Sequence, residues 1–353
     1  MAVENGNNER PGETQDGLTP FLPGQRRIPL SAIFLLLLVA LLVGFSVSDG
    51  AGASWAGLGM LLLVPAAMGG LTADLVDPDG TQSMLGCYLY PTLFLIALSV
   101  IGYVVFGEGA ICLAMALPLW VPAAMTGALV SHLNARLRRK HEARLQGRSY
   151  AAGWLLLPLV VIGYDAAYPP EWQDREVVRE VIVDADPRTI WPMLVSVPAI
   201  SPDEGKANLT QDILGVPRPS SARLVRRDGD LVRLARWGSD IRFEESITRI
   251  DAGRAITWHF AFPDDSVQAH TDRHISPDGA TLKIDSGGYT LKPVGKNRVR
   301  LRRATSYRMR TRMPGYIGWW GDVLLGDVQE NILAVVRDRA EARSAALAIR
   351  TPN

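Results

Sequence analysis

Between Ile28 and Val130 the chain has no lysine and no arginine, and its only charged residues there are Asp49, Asp74, Asp77, Asp79 and Glu108. A water-facing surface carries charge at roughly a quarter of its positions, so this stretch cannot clothe itself in solvent. It has to be placed in lipid or buried whole. The net charge of +1 over 353 residues conceals the contrast, because charges of both signs recur every few positions from Glu171 onward. The length allows two folding units of roughly 150 residues each.

The uncharged stretch divides into four hydrophobic runs, Ile28–Ser48, Ser54–Val76, Met84–Phe106 and Gly109–Val130. Each is near the ~20 residues that cross a bilayer core as a helix. The links Asp49–Ala53, Asp77–Ser83 and Gly107–Glu108 are short and turn-like, which predicts antiparallel neighbours in an up-and-down bundle. Small residues at Gly52-Ala-Ser-Trp-Ala56 and Gly57-Leu-Gly59 suit close helix contact. Asp74 and Glu108 lie within about a turn of a link, which predicts carboxylates reaching interfacial water. Pro65, Pro91, Pro118 and Pro122 are expected to kink helices.

A fifth run, Ala151–Ala167, is interrupted by Asp165, with Trp154 near its start and Tyr164, Tyr168 and Trp172 near its end. Trp154–Ile162 has no polar stripe, as a helix lying on the membrane surface would need, so a crossing is the expected reading. Asp165 must then sit in the far interface. The basic residues Arg136, Arg138, Arg139, Lys140, Arg144 and Arg148, together with Arg26 and Arg27, fall on one side of such a bundle. By the positive-inside rule that side is cytoplasmic. The expected layout is a disordered cytoplasmic tail over 1–27, a four-helix transmembrane bundle over 28–131, and a basic cytoplasmic loop over 132–150. A fifth transmembrane helix over 151–168, a soluble domain over 171–345 and a tail over 346–353 complete it. The protein would sit in a bacterial inner membrane, its N-terminus cytoplasmic and its polar domain periplasmic. If the fifth run does not cross, that domain is cytoplasmic.

After Pro169-Pro170 the pattern changes to alternation. Glu176–Asp184 reads as a strand, Pro187 opens a short helix over Arg188–Val195, and a second short helix is expected around Pro202–Leu209. Strands follow over Ala222–Arg227, Leu231–Arg236, Ile241–Ile250, Ala255–Phe262, Thr281–Lys292 and Arg298–Met309, separated by turns such as Asp228-Gly229-Asp230. The last element is a long helix from Pro314 to about Ala345, with Ile317, Trp320, Leu324, Val328, Ile332 and Val335 on one face. Such a sheet must bury one face, and only this helix is large enough to cover it.

These pieces resemble the START-like helix-grip superfamily, also called SRPBCC, with its polyketide-cyclase and lipid-transfer branches. The resemblance is carried by Val181-Ile-Val-Asp-Ala-Asp-Pro-Arg-Thr-Ile-Trp191, Ile241-Arg-Phe-Glu-Glu-Ser-Ile247, Gly288-Tyr-Thr-Leu-Lys-Pro293 and the closing Trp319–Glu341, and it covers about Val177 to Glu341. It implies a curved antiparallel sheet around a helix, with an internal space for a ligand. The superfamily mixes carriers and enzymes, so it implies no single activity.

Strand parity selects the side chains that face inward: Ile241, Phe243, Glu245 and Ile247, then Ile256, Trp258, Phe260 and Phe262, then Val299, Leu301, Arg303, Thr305, Tyr307 and Met309. Phe243, Glu245, Trp258, Phe260, His274, Tyr289, Arg303 and Tyr307 are the candidate ligand-contacting residues of an apolar cavity with a few polar groups. Glu245 and Arg303 are expected to form an internal ion pair. In His270-Thr-Asp-Arg-His274 an extended backbone would point His270, Asp272 and His274 the same way, as metal or acid–base groups, although flanking turn residues favour a loop. Arg298, Arg300, Arg302, Arg308 and Arg310 form an outward row, read as a solvated face or as a contact for lipid phosphates.

There is no Gly-rich phosphate loop, zinc-ligand spacing or Gly-x-Ser-x-Gly elbow in the sequence, and no catalytic residue, metal or cofactor is assigned. The two cysteines, Cys87 and Cys112, both lie in apolar runs, and the near-neutral charge argues against nucleic acid as a partner. The expected partners are the bilayer and an apolar small molecule or lipid held by a membrane-tethered domain. One alternative is a cyclase- or dehydratase-like enzyme using Glu245, His274, Arg303 or Tyr307. Another is a structural or signalling module without ligand.

Overall fold

The computed structural model describes residues 29–47, 57–140 and 146–350. The N-terminal tail, Arg26, Arg27, the link Asp49–Ala53, the pattern Gly52–Ala56 and Arg144 lie outside the described residues. The apolar half forms α1 (Leu30–Val47), a π-helical turn (Gly59–Leu63) running into α2 (Val64–Val76), α3 (Met84–Val105), α4 (Ala110–Lys140) and α5 (Gln146–Ala167). These supply five helices long and apolar enough to cross a membrane.

α2 is the hub of this bundle, with two-thirds of its apolar window buried against its neighbours. The packing is tight because both partners lack side chains where they meet. A Cβ on Gly69 would stand 2.1 Å from the Ala124 carbonyl oxygen, and one on Gly127 would stand 1.8 Å from that of Ala66. Small residues let α2 and α4 approach backbone to backbone. Gly57 and Gly59 do the same against α5, meeting Asp165 and Ile162.

Two expectations about this half need correction. The basic segment 132–150 is largely helix: α4 continues to Lys140 and α5 begins at Gln146. The ionisable groups are paired rather than left to water. Asp74 accepts from Arg138 at 3.1 Å, and the buried Asp77 lies 3.2 Å from the equally buried His132. Arg136 donates to the Gly80 carbonyl at 3.1 Å. These pairs gather at one end of the bundle, and Ser46, Glu108 and Asp165 gather at the other.

The polar half begins with β1 (Gln173–Val183), α6 (Pro187–Val195), α7 (Leu209–Asp212) and β2 (Pro219–Arg227). It continues through β3 (Asp230–Trp237), β4 (Ile241–Asp251), β5 (Ala255–Ala261), α8 (Ser266–His270), β6 (Leu282–Gly295), β7 (Arg298–Met309) and α9 (Pro314–Arg350). The strands form one seven-stranded antiparallel sheet in the order β1-β7-β6-β5-β4-β3-β2. The β2–β3 hairpin turns at Asp228 and Gly229, both at positive φ as a tight two-residue hairpin turn requires. Along β7 burial alternates with period two, and the inward residues Val299, Leu301, Arg303, Thr305, Tyr307 and Met309 are all buried. α9 lies across this concave face and outruns the expected end by several residues, so the expected 346–353 tail is helical up to Arg350.

The outward arginines form a ladder with the neighbouring strands. Arg298 meets Asp184, Arg300 and Arg302 meet Glu180 and Glu176 on β1, and Arg308 meets Asp285 on β6. Opposite charges across an antiparallel pair are mutually stabilising, which accounts for these four of the five arginines in the row. The short helix expected at Pro202–Leu209 starts only at Leu209, because Asn208 caps it. The preceding loop is pinned instead to α9, where Arg339 chelates Glu204 and Asn331 accepts from the Lys206 amide.

The Arg339 hydrogen bonds hold the Glu204 carboxyl well below its usual 4.5, at about 2. A depressed folded-state pKa means stability that is complete above the unfolded value and is lost as pH falls. Thermal unfolding of the wild type should therefore weaken between about pH 4.5 and pH 2 more than that of Glu204→Gln. Parallel acid profiles of the two proteins would show Glu204 to be uncoupled from folding.

Candidate functional site

The predicted cavity residues fall into two places. Trp258 and Tyr289 belong to a packed cluster with Val183, Ile190, Leu194, Ile256, Leu291, Val299, Leu301, Leu333 and Val336. Phe243 packs with Ile241 and Ala235 beside Trp237, Phe260 and Phe262. Phe260 joins the two clusters, 5.9 Å from Phe243 and 6.0 Å from Trp258 between ring centres. The middle of the sheet is thus filled by side chains.

Within it sits a buried charge network that differs from the expected one. Glu245 pairs with Arg233 on the adjacent strand, not with Arg303. The Arg233 guanidinium also donates to the Leu194 carbonyl and lies 4.4 Å from the Trp258 ring centre. Burial opposes its charge, but the Glu245 carboxylate and the Tyr289 hydroxyl together outweigh burial and raise the Arg233 pKa. Arg303 donates to the Tyr289 hydroxyl and stacks 5.0 Å from that ring's centre. Register decides the pairing: Arg233 is directly opposite Glu245 on the neighbouring strand, whereas Arg303 lies across from Tyr289.

His274 and Tyr307 are elsewhere, at the seam between the sheet domain and the helical bundle. There the segment after α8 turns toward the bundle. Asp272 accepts from the Cys112 amide at 2.9 Å, capping the first turn of α4. Arg273 donates to the Phe106 carbonyl at 3.0 Å, and His274 Nε2 lies 2.8 Å from Glu108 Oε2. His270 ends α8 and turns back to the Ser266 carbonyl, so the three residues do not converge. Glu108, expected in interfacial water, is buried. Burial pushes its carboxyl up, but the contacts from His274 and Ser46 and the Arg273 charge prevail and hold it below its usual value. Arg312 reaches Asp165 at 3.2 Å, and the Tyr316 hydroxyl donates to the Met115 carbonyl at 2.6 Å.

Inside this ring of contacts is a cavity of about 230 Å³. From the bundle its wall includes Leu42, Leu98, Leu113 and Trp120, and from the domain Leu282, Met309, Ile317, Trp320 and Leu324. Polar groups in the wall include Ser46, Glu108, His274, Tyr307 and Arg310. Of the eight candidates only His274 and Tyr307 line it; Phe243, Glu245, Trp258, Phe260, Tyr289 and Arg303 do not. Strand parity could find Tyr307 and Met309. No periodicity could announce Leu42 or Trp120 as their neighbours.

The polar half has the helix-grip fold. No family model and no curated protein matches the sequence. Among solved structures, norcoclaurine synthase from Thalictrum flavum in complex with dopamine and hydroxybenzaldehyde is similar at 13% identity over 52% of this chain and 90% of that one, with a TM-score of 0.30. A START superfamily protein from Mycobacterium smegmatis is similar at 14% identity over 49% of this chain and 98% of that one, with a TM-score of 0.29. The fold assignment rests on the strand order and the helix across the concave face, not on these likenesses.

Removing one member of a buried ion pair strands the other, at a cost of ~3–5 kcal/mol. Arg233→Met should destabilise the domain by about that amount, and the double variant Arg233→Met/Glu245→Leu should recover most of it. Chemical denaturation of the four proteins in the cycle measures this; additive losses would show that the pair is not coupled.

Proposed function

We propose that this is a membrane-embedded protein that binds an apolar small molecule or lipid in the chamber between its helical bundle and its helix-grip domain. The observation that carries the reading is the chamber: an apolar wall drawn from both halves, with few polar groups, is the usual form of a small-molecule site. Side chains fill the middle of the sheet, so the ligand space lies at the seam and not deep in the domain. A hydrophobic ligand gains its affinity there by leaving water or lipid for a preformed surface.

A cyclase- or dehydratase-like reading needs its polar groups to converge on a substrate. Glu245 and Arg303 lie in the packed core, while His274 and Tyr307 lie at the chamber, so that set of four does not meet.

Full-length protein purified in mild detergent should carry a hydrophobic molecule visible by native mass spectrometry and solvent extraction. Leu324→Trp, which fills the chamber from α9, should lose it while keeping the wild-type circular dichroism. A wild-type protein that neither copurifies with nor takes up any hydrophobic molecule would sink the proposal.

The proposed topology puts the domain outside the cytoplasm, across the membrane from Arg136–Arg148. Support comes from the basic cluster, each residue of which favours the cytoplasmic leaflet by about 1 kcal/mol. The placement of Arg136 and Arg138 at the end of the bundle away from the domain agrees with it. A reporter active only outside the cytoplasm should work when fused after Asn353 and be silent at Gly147. Silence at both positions would place the domain in the cytoplasm.

A further inference from the structure

The polar groups in the chamber wall are not equally satisfied. Glu108 is engaged by Ser46 and His274. Tyr307 is 3% exposed, yet its hydroxyl has no hydrogen-bond partner among the described residues, and the residue lines the chamber. Burial raises the Tyr307 pKa, so the phenol stays protonated and keeps a hydrogen to donate. A phenol whose hydrogen is unused can donate it to an acceptor in the chamber.

Arg310 is the second such group. Five other arginines of β7 and the turn after it meet a carboxylate: Arg308 meets Asp285, Arg312 meets Asp165, and Arg298, Arg300 and Arg302 meet acids on or just after β1. Arg310 meets none among the described residues. Its Nε donates to the Pro170 carbonyl at 2.7 Å, and its guanidinium carbon lies 5.8 Å from the Trp172 ring centre. Those contacts fix the side chain without neutralising it. A guanidinium held this way offers paired N–H donors to a carboxylate or a phosphate. The only carboxylate among the described residues of the wall is Glu108, and His274 and Arg273 offset its charge.

Space sets the other end of the ligand. A cavity of about 230 Å³ lies below the ~300–1,000 Å³ usual for small-molecule sites, which suits one chain rather than two. We propose that the chamber takes a single-chain amphiphile with an oxyanion head, its chain against Trp120, Ile317 and Leu324 and its head on Arg310 and the Tyr307 hydroxyl. This rests on the chamber being a ligand site and adds the class of ligand.

The test uses the full chain in phosphatidylcholine nanodiscs, with empty nanodiscs as the background. The radiolabelled probes are dodecanoate, dodecyl phosphate, dodecanol and dilauroyl phosphatidylglycerol. At least one single-chain anion should bind about tenfold or more tightly than dodecanol, as a charge-assisted contact implies. The tighter of the two names the head as carboxylate or phosphate. Arg310→Gln should bring that preference close to unity, and Tyr307→Phe should lower it several-fold. If Arg310→Gln does not fold, Arg310→Lys, which keeps the charge and loses the fork, should lower the preference by a smaller factor. Dodecanol binding as tightly as both anions, or an anion preference indifferent to Arg310, overturns this inference while leaving the chamber as a ligand site. Equal binding of the two-chain lipid overturns the single-chain assignment, and failure of every probe to bind removes the chamber reading as well.

Discussion

The carboxylate of Asp165 joins three parts of the chain that are distant in sequence. One oxygen accepts from the Gly59 amide at 3.2 Å, at the start of the π-helical turn, and the other faces Arg312 at 3.2 Å. The same arginine donates to the Tyr168 carbonyl just beyond α5. An ionised side chain at the end of an apolar helix is costly unless paired, and Arg312 supplies the pairing from the turn that leads into α9. The contact locks the last bundle helix to the second and fixes where the covering helix of the sheet begins. Gly57 leaves room for that carboxylate, since a Cβ on it would stand 2.6 Å from the Asp165 oxygen.

The other seam contacts follow from that placement. With α9 started beside α5, the segment after α8 is brought over the start of α4, where Asp272 caps the helix and His274 meets Glu108. A helix N-terminus favours a carboxylate both as a hydrogen-bond acceptor and as a charge, so the seam uses the bundle's own unsatisfied amides as docking points. The apolar surfaces inside that ring do not close completely. Trp120 and Leu113 from α4, Leu42 from α1 and Trp320 and Leu324 from α9 are held apart by polar links at the rim, and the chamber is what remains. Its existence therefore depends on both halves being docked. The sheet's packed middle, centred on Trp258 and the Arg233–Glu245 pair, acts as the rigid wall against which α9 is held.

Sequence periodicity was a reliable guide wherever the information is local. The lack of basic residues from Ile28 to Val130 fixed the apolar half, and a helix must satisfy its own backbone hydrogen bonds there. Period-two burial along β7 and the three- and four-residue spacing of Ile317, Trp320, Leu324 and Val328 identified the faces that meet. Those signals exist because each residue's own neighbours along the chain decide which side it faces.

Tertiary structure alone decided the partners. Parity places Glu245 and Arg303 on the same inner face, but sheet register puts Arg233 opposite Glu245 and Tyr289 opposite Arg303. Loop chemistry made His270, Asp272 and His274 look like a cluster, and docking divided them between α8, α4 and Glu108. The chamber is the clearest case. The inward face of β7 marks Tyr307 and Met309 as buried, yet whether they meet packed side chains or open space depends on helices more than a hundred residues earlier in the chain. Periodicity records which way a side chain points; what it meets is set by how two separately folded surfaces fit, and no local pattern carries that fit.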